Sequence, residues 1–207
     1  MGLNIVDVCW TMYRSNTTFD FVAFVSESYN RNKVALFFLN NGLIKALLVL
    51  IGRILGVDIY RWFYVLMLKG FTYDELYEAS NNFYDFFLVR NKIDFTFNII
   101  EKISCKKDIV LCSASLDIVI KVIAERLNFK YYASELEFVD GVCVGGLKKD
   151  LLGKKNEIFN GLSLSLVVTD NLTDIKLVKA SECSFILSTQ KNKKFWARHN
   201  IKVNYYF

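Results

Sequence analysis

No C-x-x-C pair occurs among the five cysteines of this 207-residue chain, Cys9, Cys105, Cys112, Cys143 and Cys183. Zinc sites and thioredoxin-like redox motifs need closely spaced sulfur, so neither is suggested. The thiols read as mostly buried side chains of a reducing compartment. A surplus of one charge is lacking too: 26 basic against 21 acidic residues leave +5, too even a mixture to mark a nucleic-acid binder, and no nucleic-acid partner is expected. Nor is there an unbroken apolar run of the roughly 20 residues that a spanning helix needs. The most apolar stretch, Val34 to Val57, is interrupted by Asn40, Asn41, Lys45 and Arg53, and a transmembrane helix is not expected there. The first residues lack the basic segment and small-residue cleavage site of a secretory leader. Val6 stands where a myristoylation signal wants Ser or Thr. A cytoplasmic protein is the expectation.

What the chain does have is apolar surface. Hydrophobic residues make up 53% and aromatics 15%, which rules out disorder because such a chain can offset its conformational entropy by burial. Its length allows one domain, or one domain with a sizeable insertion. Short apolar runs at Leu3–Val8, Asp108–Cys112, Leu164–Thr169, Cys183–Leu187 and Lys202–Tyr206 read as strands, the first four feeding polar or small residues as buried parallel strands do. Between the first and second, from about Thr17 to Lys102, the pattern is helical. Phe21, Phe24, Val25 and Ser28, then Leu47, Leu48, Ile51, Ile54 and Leu55, recur at three- and four-residue spacing. Thr72 and Glu75 form a capping-box pattern that opens a helix through Phe87. After the second strand, Leu116–Leu127 reads as an amphipathic helix and Tyr131–Ala133 as a short strand. Glu135 to Gly146, alternating around Asp140-Gly141, reads as a hairpin. The fold class is therefore α/β, with a helical insertion in the first crossover.

Four chemically loaded segments fall in order. Asp7 closes the first strand, in Asp7-Val8-Cys9-Trp10-Thr11. Ser113 closes the second, in Ser113-Ala114-Ser115. Lys154-Lys155-Asn156-Glu157-Ile158 follows the hairpin, and Asp170 and Asp174 follow the fourth strand. In a doubly wound sheet, groups beyond the carboxyl ends of neighbouring parallel strands share one crevice. That crevice would hold three carboxylates, a hydroxyl and an ammonium group.

In this the chain resembles the haloacid dehalogenase superfamily, and within it the phosphoserine-phosphatase-like branch with a helical C1-type cap. The family's first motif, D-x-D-G-T, is matched at Asp7 and Thr11; its second at Ser113; its lysine best at Lys155, with neighbouring Lys154 able to take the role; its fourth, G-D-x-x-x-D, at Asp170 and Asp174. The hairpin and Leu68–Leu76 are also similar, so the likeness covers essentially the whole chain. It implies a Rossmann-like three-layer core with a parallel sheet, formed by 1–13 and 105–207, and an all-helical cap over 14–104. It also implies a Mg²⁺-dependent phosphatase or phosphotransferase acting on a small phosphorylated metabolite. Asp7 would attack phosphorus to form an aspartyl phosphate, which divides one hard step into two. Asp7, the backbone carbonyl of Cys9, Asp170 and Asp174 would serve the metal. Ser113 would donate to the phosphoryl group, and Lys155 would neutralise it while keeping Asp7 ionised.

Cys9 departs from the pattern. The family's phosphatases carry there an aspartate that protonates the leaving oxygen and then activates water, whereas a thiol of pKa about 8.5 is neutral at pH 7 and a poor base. Transfer to Asp7 is expected to survive for good leaving groups, with slow breakdown of the intermediate. Trp10 replaces the motif's glycine and puts the loop geometry in question. Two rivals follow: a phospho-ligand-binding protein without turnover, and a peripheral membrane enzyme acting on a lipid phosphate through a cap whose Lys45, Arg53, Arg61 and Lys69 lie among leucines. The aromatics Phe19, Phe21, Phe37, Phe38, Trp62, Phe63 and Tyr64 read mainly as helix packing, some facing the substrate. His199, the single histidine, reads as structural or solvated. Substrate identity and oligomeric state are left open.

Overall fold

A computed structural model describes residues 2–207. Strand β1 (Leu3–Val6) opens it, and helices α1 (Thr17–Ser28), α2 (Lys33–Leu39), α3 (Gly42–Leu55), α4 (Ile59–Leu66), α5 (Tyr73–Phe86) and α6 (Asp94–Lys102) follow. Polar caps divide this segment. Asn16 accepts from Phe19 N, Asn41 from Leu43 N and Asp58 from Arg61 N, each satisfying a first-turn N–H that the helix cannot. Thr72 and Glu75 make the full reciprocal box at the start of α5. The chain then returns through β2 (Ile109–Leu116), α7 (Asp117–Leu127), β3 (Lys130–Val139), β4 (Val142–Lys149), α8 (Lys155–Ile158), β5 (Leu164–Thr169), α9 (Ile175–Ala180), β6 (Ser181–Ser188), α10 (Lys193–Arg198) and β7 (Tyr205–Tyr206).

Among the described residues the strands form one seven-stranded sheet, ordered β4-β3-β2-β1-β5-β6-β7. All neighbours are parallel except β3 and β4. Central β1 pairs with β2 through Ile5 and Val110, and with β5 through Ile5 and Val167. Alternation along these strands builds two cores. Val6, Leu111 and Val168 face the side of α7 and the helical segment, while Ile5, Val110 and Val167 face Leu177, Val178 and Trp196 of α9 and α10. This is a Rossmann-like, three-layer α/β fold. The chain winds from β1 through β2 to β3, then restarts at β5 on the other side of β1, so a topological switch point lies beside β1.

The hairpin is a seat for the helical segment. Gly70 N donates to Cys143 O at 2.8 Å, Cys143 N to Phe71 O at 2.8 Å, and Tyr73 N to Gly141 O at 2.9 Å. Gly145 has φ +80°, and a Cβ there would meet Lys69 Cβ at 3.0 Å and Leu66 Cα at 3.1 Å. The end of α4 therefore presses on backbone that only glycine leaves free.

Several expectations need correction. Only Cys112 and Cys143 are buried; Cys9 and Cys105 are partly exposed and Cys183 is exposed near the start of β6. Ser113 lies inside β2, whose register to β3 slips between Cys112 and Leu116, rather than just beyond the strand. Tyr131–Ala133 and the hairpin's first arm are one continuous strand, β3. The last strand is only Tyr205–Tyr206. Val34–Val57 forms two helices bent by 74°, and no single helix is long and apolar enough to cross a membrane.

Candidate active site

Asp7 follows β1 directly, and its N–H continues the ladder by donating to Val168 O at 2.9 Å. Val8 N donates to its Oδ1 at 2.8 Å, and Lys155 Nζ lies 2.9 Å from its Oδ2. The same ammonium sits 2.9 Å from Asp174 Oδ2, which also accepts from Thr169 Oγ1 at 2.7 Å. All three charged groups are buried. Lys154 is exposed, so of the two candidate lysines it is Lys155 that α8 turns into the crevice. Thr11 joins the last carboxylate: its Oγ1 accepts from Asp170 N at 3.0 Å and donates to Asp170 Oδ1 at 3.2 Å.

Electrostatics follow from three carboxylates around one ammonium. Burial raises the Asp7 pKa despite the opposing pull of Lys155, and Asp174 adds to the rise. Burial and then the Asp7 charge push Asp170 up to about 8. For Lys155 burial works toward deprotonation, but attraction from Asp7 and Asp174 outweighs it and the lysine stays firmly charged. The cluster carries two negative charges more than it balances when all are ionised, the condition a divalent cation relieves. Among the described residues no three His, Cys, Asp or Glu side chains converge as a ready-made metal site. Mg²⁺ suits what is there, since it typically takes one or two carboxylates and keeps several waters.

The loop after β1 is a tight turn, with Met12 N donating to Val8 O at 2.9 Å. Trp10 takes φ +50°, so the backbone keeps the left-handed form that a glycine would adopt freely. Cys9 Sγ lies 3.0 Å from Thr17 Oγ1 and 3.9 Å from Ser113 Oγ. Burial, then the Asp7 charge, raises the thiol's pKa, so it is neutral at pH 7.

A cavity of about 150 Å³ opens on these groups: Asp7, Cys9, Ser113 and Lys155 line it from the sheet, and Phe19, Asp58 and Arg61 from the helical segment. Asp170 and Asp174 are not in its lining. A larger cavity of about 410 Å³ shares Asp58 and Arg61 with it, so a substrate bigger than phosphate has room beside the chemistry.

Arg61, read with Lys45, Arg53 and Lys69 as a cap cation that could meet anionic lipid, is not placed to do so. It is buried, donating from Nη1 to Asp150 Oδ1 at 2.8 Å and from Nη2 to Ala114 O and Ser134 Oγ. Periodicity carries no mark of this, because the partners lie on β2, on β3 and after β4. Thr17 and Ser115, 2.6 Å apart and adjoining Cys9 and Ser113, were likewise hidden by their separation in sequence. Of the cap aromatics, Phe21 and Tyr64 are buried, Phe19 and Phe63 half-buried, and Phe37, Phe38 and Trp62 exposed. His199 is partly exposed against Phe195, with ring centroids 4.8 Å apart.

The fold that these elements build is similar to that of solved phosphoserine phosphatases and HAD family hydrolases. No protein-family model and no curated protein matches the chain by sequence; the likeness is to solved structures. A protein of unknown function from Bordetella pertussis Tohama I is 14% identical, with a TM-score of 0.71 over 97% of this chain and 96% of that one. A phospho-aspartyl intermediate analogue of phosphoserine phosphatase is 16% identical, with a TM-score of 0.57 over 98% and 91%. A HAD family hydrolase from Salmonella enterica subsp. enterica serovar Typhi is 14% identical, with a TM-score of 0.58 over 99% of this chain and 68% of that one.

Proposed function

We propose that the protein is a phosphomonoester phosphatase or phosphotransferase that works through an aspartyl phosphate on Asp7, with residues 1–13 and 105–207 as catalytic core and 14–104 as cap. The observation that carries this reading is the Asp7 carboxylate, buried at the switch point, paired with Lys155 and open to a cavity that the helical segment closes. A carboxylate oxygen of Asp7 bonds to phosphorus as the ester P–O bond breaks. Lys155 draws charge from the phosphoryl oxygens, Ser113 donates a hydrogen bond to them, and Asp174 with Thr169 holds the lysine in position. Asp174 thus acts through Lys155, while Asp7, Asp170 and the Cys9 carbonyl are the oxygens available to Mg²⁺. That ion would supply charge neutralisation at the transferring phosphoryl group.

With a neutral thiol at position 9, the leaving oxygen departs without a strong acid beside it, and water attacks the acyl phosphate without a base. Aryl and other stable leaving groups are therefore favoured, and the second step is slow. The larger cavity beside the one at Asp7, with Asp58 and Arg61 common to both, supports a phosphorylated small metabolite as substrate.

The test is phosphate release from an aryl phosphate with Mg²⁺, with chelator, and in Asp7→Asn. We expect release that chelation abolishes and that the variant lowers about a thousandfold or more; turnover retained in Asp7→Asn would refute the role of Asp7. The neutral, hydroxyl-bound thiol of Cys9 also favours a second reading, a binder of phosphorylated ligands without turnover. Phosphate binding by calorimetry with no release from the aryl ester would select it.

A further inference from the structure

Helices α2 and α3 carry an apolar surface that the rest of the chain leaves uncovered. Leu43, Leu47, Leu50 and Ile54 recur at four-, three- and four-residue intervals down α3 and are 83%, 56%, 55% and 76% exposed, and Phe37 on α2 is 74% exposed. Only Gly52 of α3 is buried, against the backbone of Val57; Leu48 and Val49 pack half-buried on the core. Each exposed Leu or Ile forgoes the free energy that burial would return, and contiguous patches of this kind mark interaction sites.

Two properties choose the occupant. At 3.6 residues per turn, the exposed face from Ala46 through Leu43 to Leu55 spans about 180° without a charged side chain, broader than the narrow seam of a paired coil. Within the segment the charge has one sign, with Glu27 beside Lys33 and Asp58 beside Arg53 at its two edges. Between residues 30 and 57 the charged side chains are Arg31, Lys33, Lys45 and Arg53, with no acid. All four are exposed and none makes an ion pair among the described residues, although Arg31 lies over Phe71 and Lys45 over Tyr60. A wide apolar face with Arg53 at its border and no acid within the segment matches the boundary between acyl chains and acidic headgroups.

We propose that α2 and α3 dock the protein on an anionic lipid bilayer, α3 lying in the plane of the interface. The 74° bend between the helices suits this placement. The opposite side of α3, through Leu48, Val49, Gly52 and Arg53, faces toward the site. Val57 and Asp58 line a cavity against α3 and the one beside Trp62, and Asp58 and Arg61 line the cavity at Asp7. Docking therefore holds this series of cavities about one helix diameter, roughly 10 Å, from the interface, and a phosphate carried on an amphiphile becomes the substrate class; this last step rests on the phosphatase reading, whereas docking does not.

The test is co-sedimentation with phosphatidylcholine vesicles, with and without phosphatidylserine, for wild type and a Leu47→Glu, Ile54→Glu double variant. We expect binding that requires phosphatidylserine, falls with salt and drops about tenfold or more in the variant, while the variant keeps the wild-type melting temperature and aryl phosphate rate. Equal binding by the variant, or none by wild type, would overturn docking. So would a concentration-dependent dimer that the variant dissolves without any vesicle binding, or protein that resists extraction by alkaline carbonate. Binding without aryl phosphate turnover would uphold docking and refute the phosphatase reading.

Discussion

Trp10 holds φ +50°, a conformation that costs an L-residue about 1–2 kcal/mol, and its ring lies 5.9 Å from that of Phe207. The turn that aims Asp7 thus survives the loss of glycine, and the departure with chemical weight is its neighbour. Cys9→Asp would restore a proton-carrying group beside Thr17 and Ser113. We expect alkyl phosphate hydrolysis to rise about a hundredfold, with no gain in Cys9→Ser, measured as steady-state phosphate release. That Asp7, Lys155, Asp170 and Asp174 would gather was legible in the sequence because each lies just beyond a strand or a turn, where topology alone brings residues together; Ser113, expected at the end of β2, lies inside that strand. What could not be read was the division of labour: that Asp174 is occupied by Lys155 and Thr169, and that Arg61 is buried across three elements. Such facts depend on tertiary approach, which periodicity does not encode.

Helix α5 shows local chemistry and structure in agreement. Thr72 N donates to Glu75 Oε2 at 2.7 Å and Glu75 N to Thr72 Oγ1 at 3.2 Å, and α5 ends one residue before the expected Phe87. Thr72→Ala removes one half of this box. The expected loss is about 1 kcal/mol, read as a fall of about 2–4 °C in melting temperature, with Thr72→Ser close to wild type. Helix α3 shows the reverse. Its three- and four-residue spacing was read correctly as helix, yet the same spacing is silent on whether Leu47 and Ile54 meet protein, and they do not.

At the scale of the molecule, one ion pair joins the helical segment to the sheet. Arg61 of α4 meets Asp150 beyond β4. Burial works to raise the Asp150 carboxyl, but hydrogen bonds from Arg61 prevail and hold it below its usual value. A carboxylate depressed in the folded state stabilises it above the unfolded pKa, near 3.9, and that contribution is lost as pH falls through the lower folded value. Wild type should therefore melt above Asp150→Asn at pH 7, by about 1 kcal/mol after discounting for the exposure of Asp150, and the gap should close below about pH 4 in calorimetric scans. A second contact of the same junction is steric. Gly145→Ala would drive a methyl into Leu66 and Lys69.

The place of β1 in the sheet has a consequence for synthesis. The strand emerges from the ribosome before both of its neighbours, which begin at Ile109 and Leu164. At 5–20 residues per second, roughly 8–30 s pass between translation of β1 and of β5. For that interval an apolar strand with both edges open precedes a segment already able to form helices, and the residue at its end, Asp7, has no Lys155 to face. The helical segment is in this sense a delay line: Asp7 meets Lys155, and Lys155 meets Asp174, only when the last third of the chain arrives.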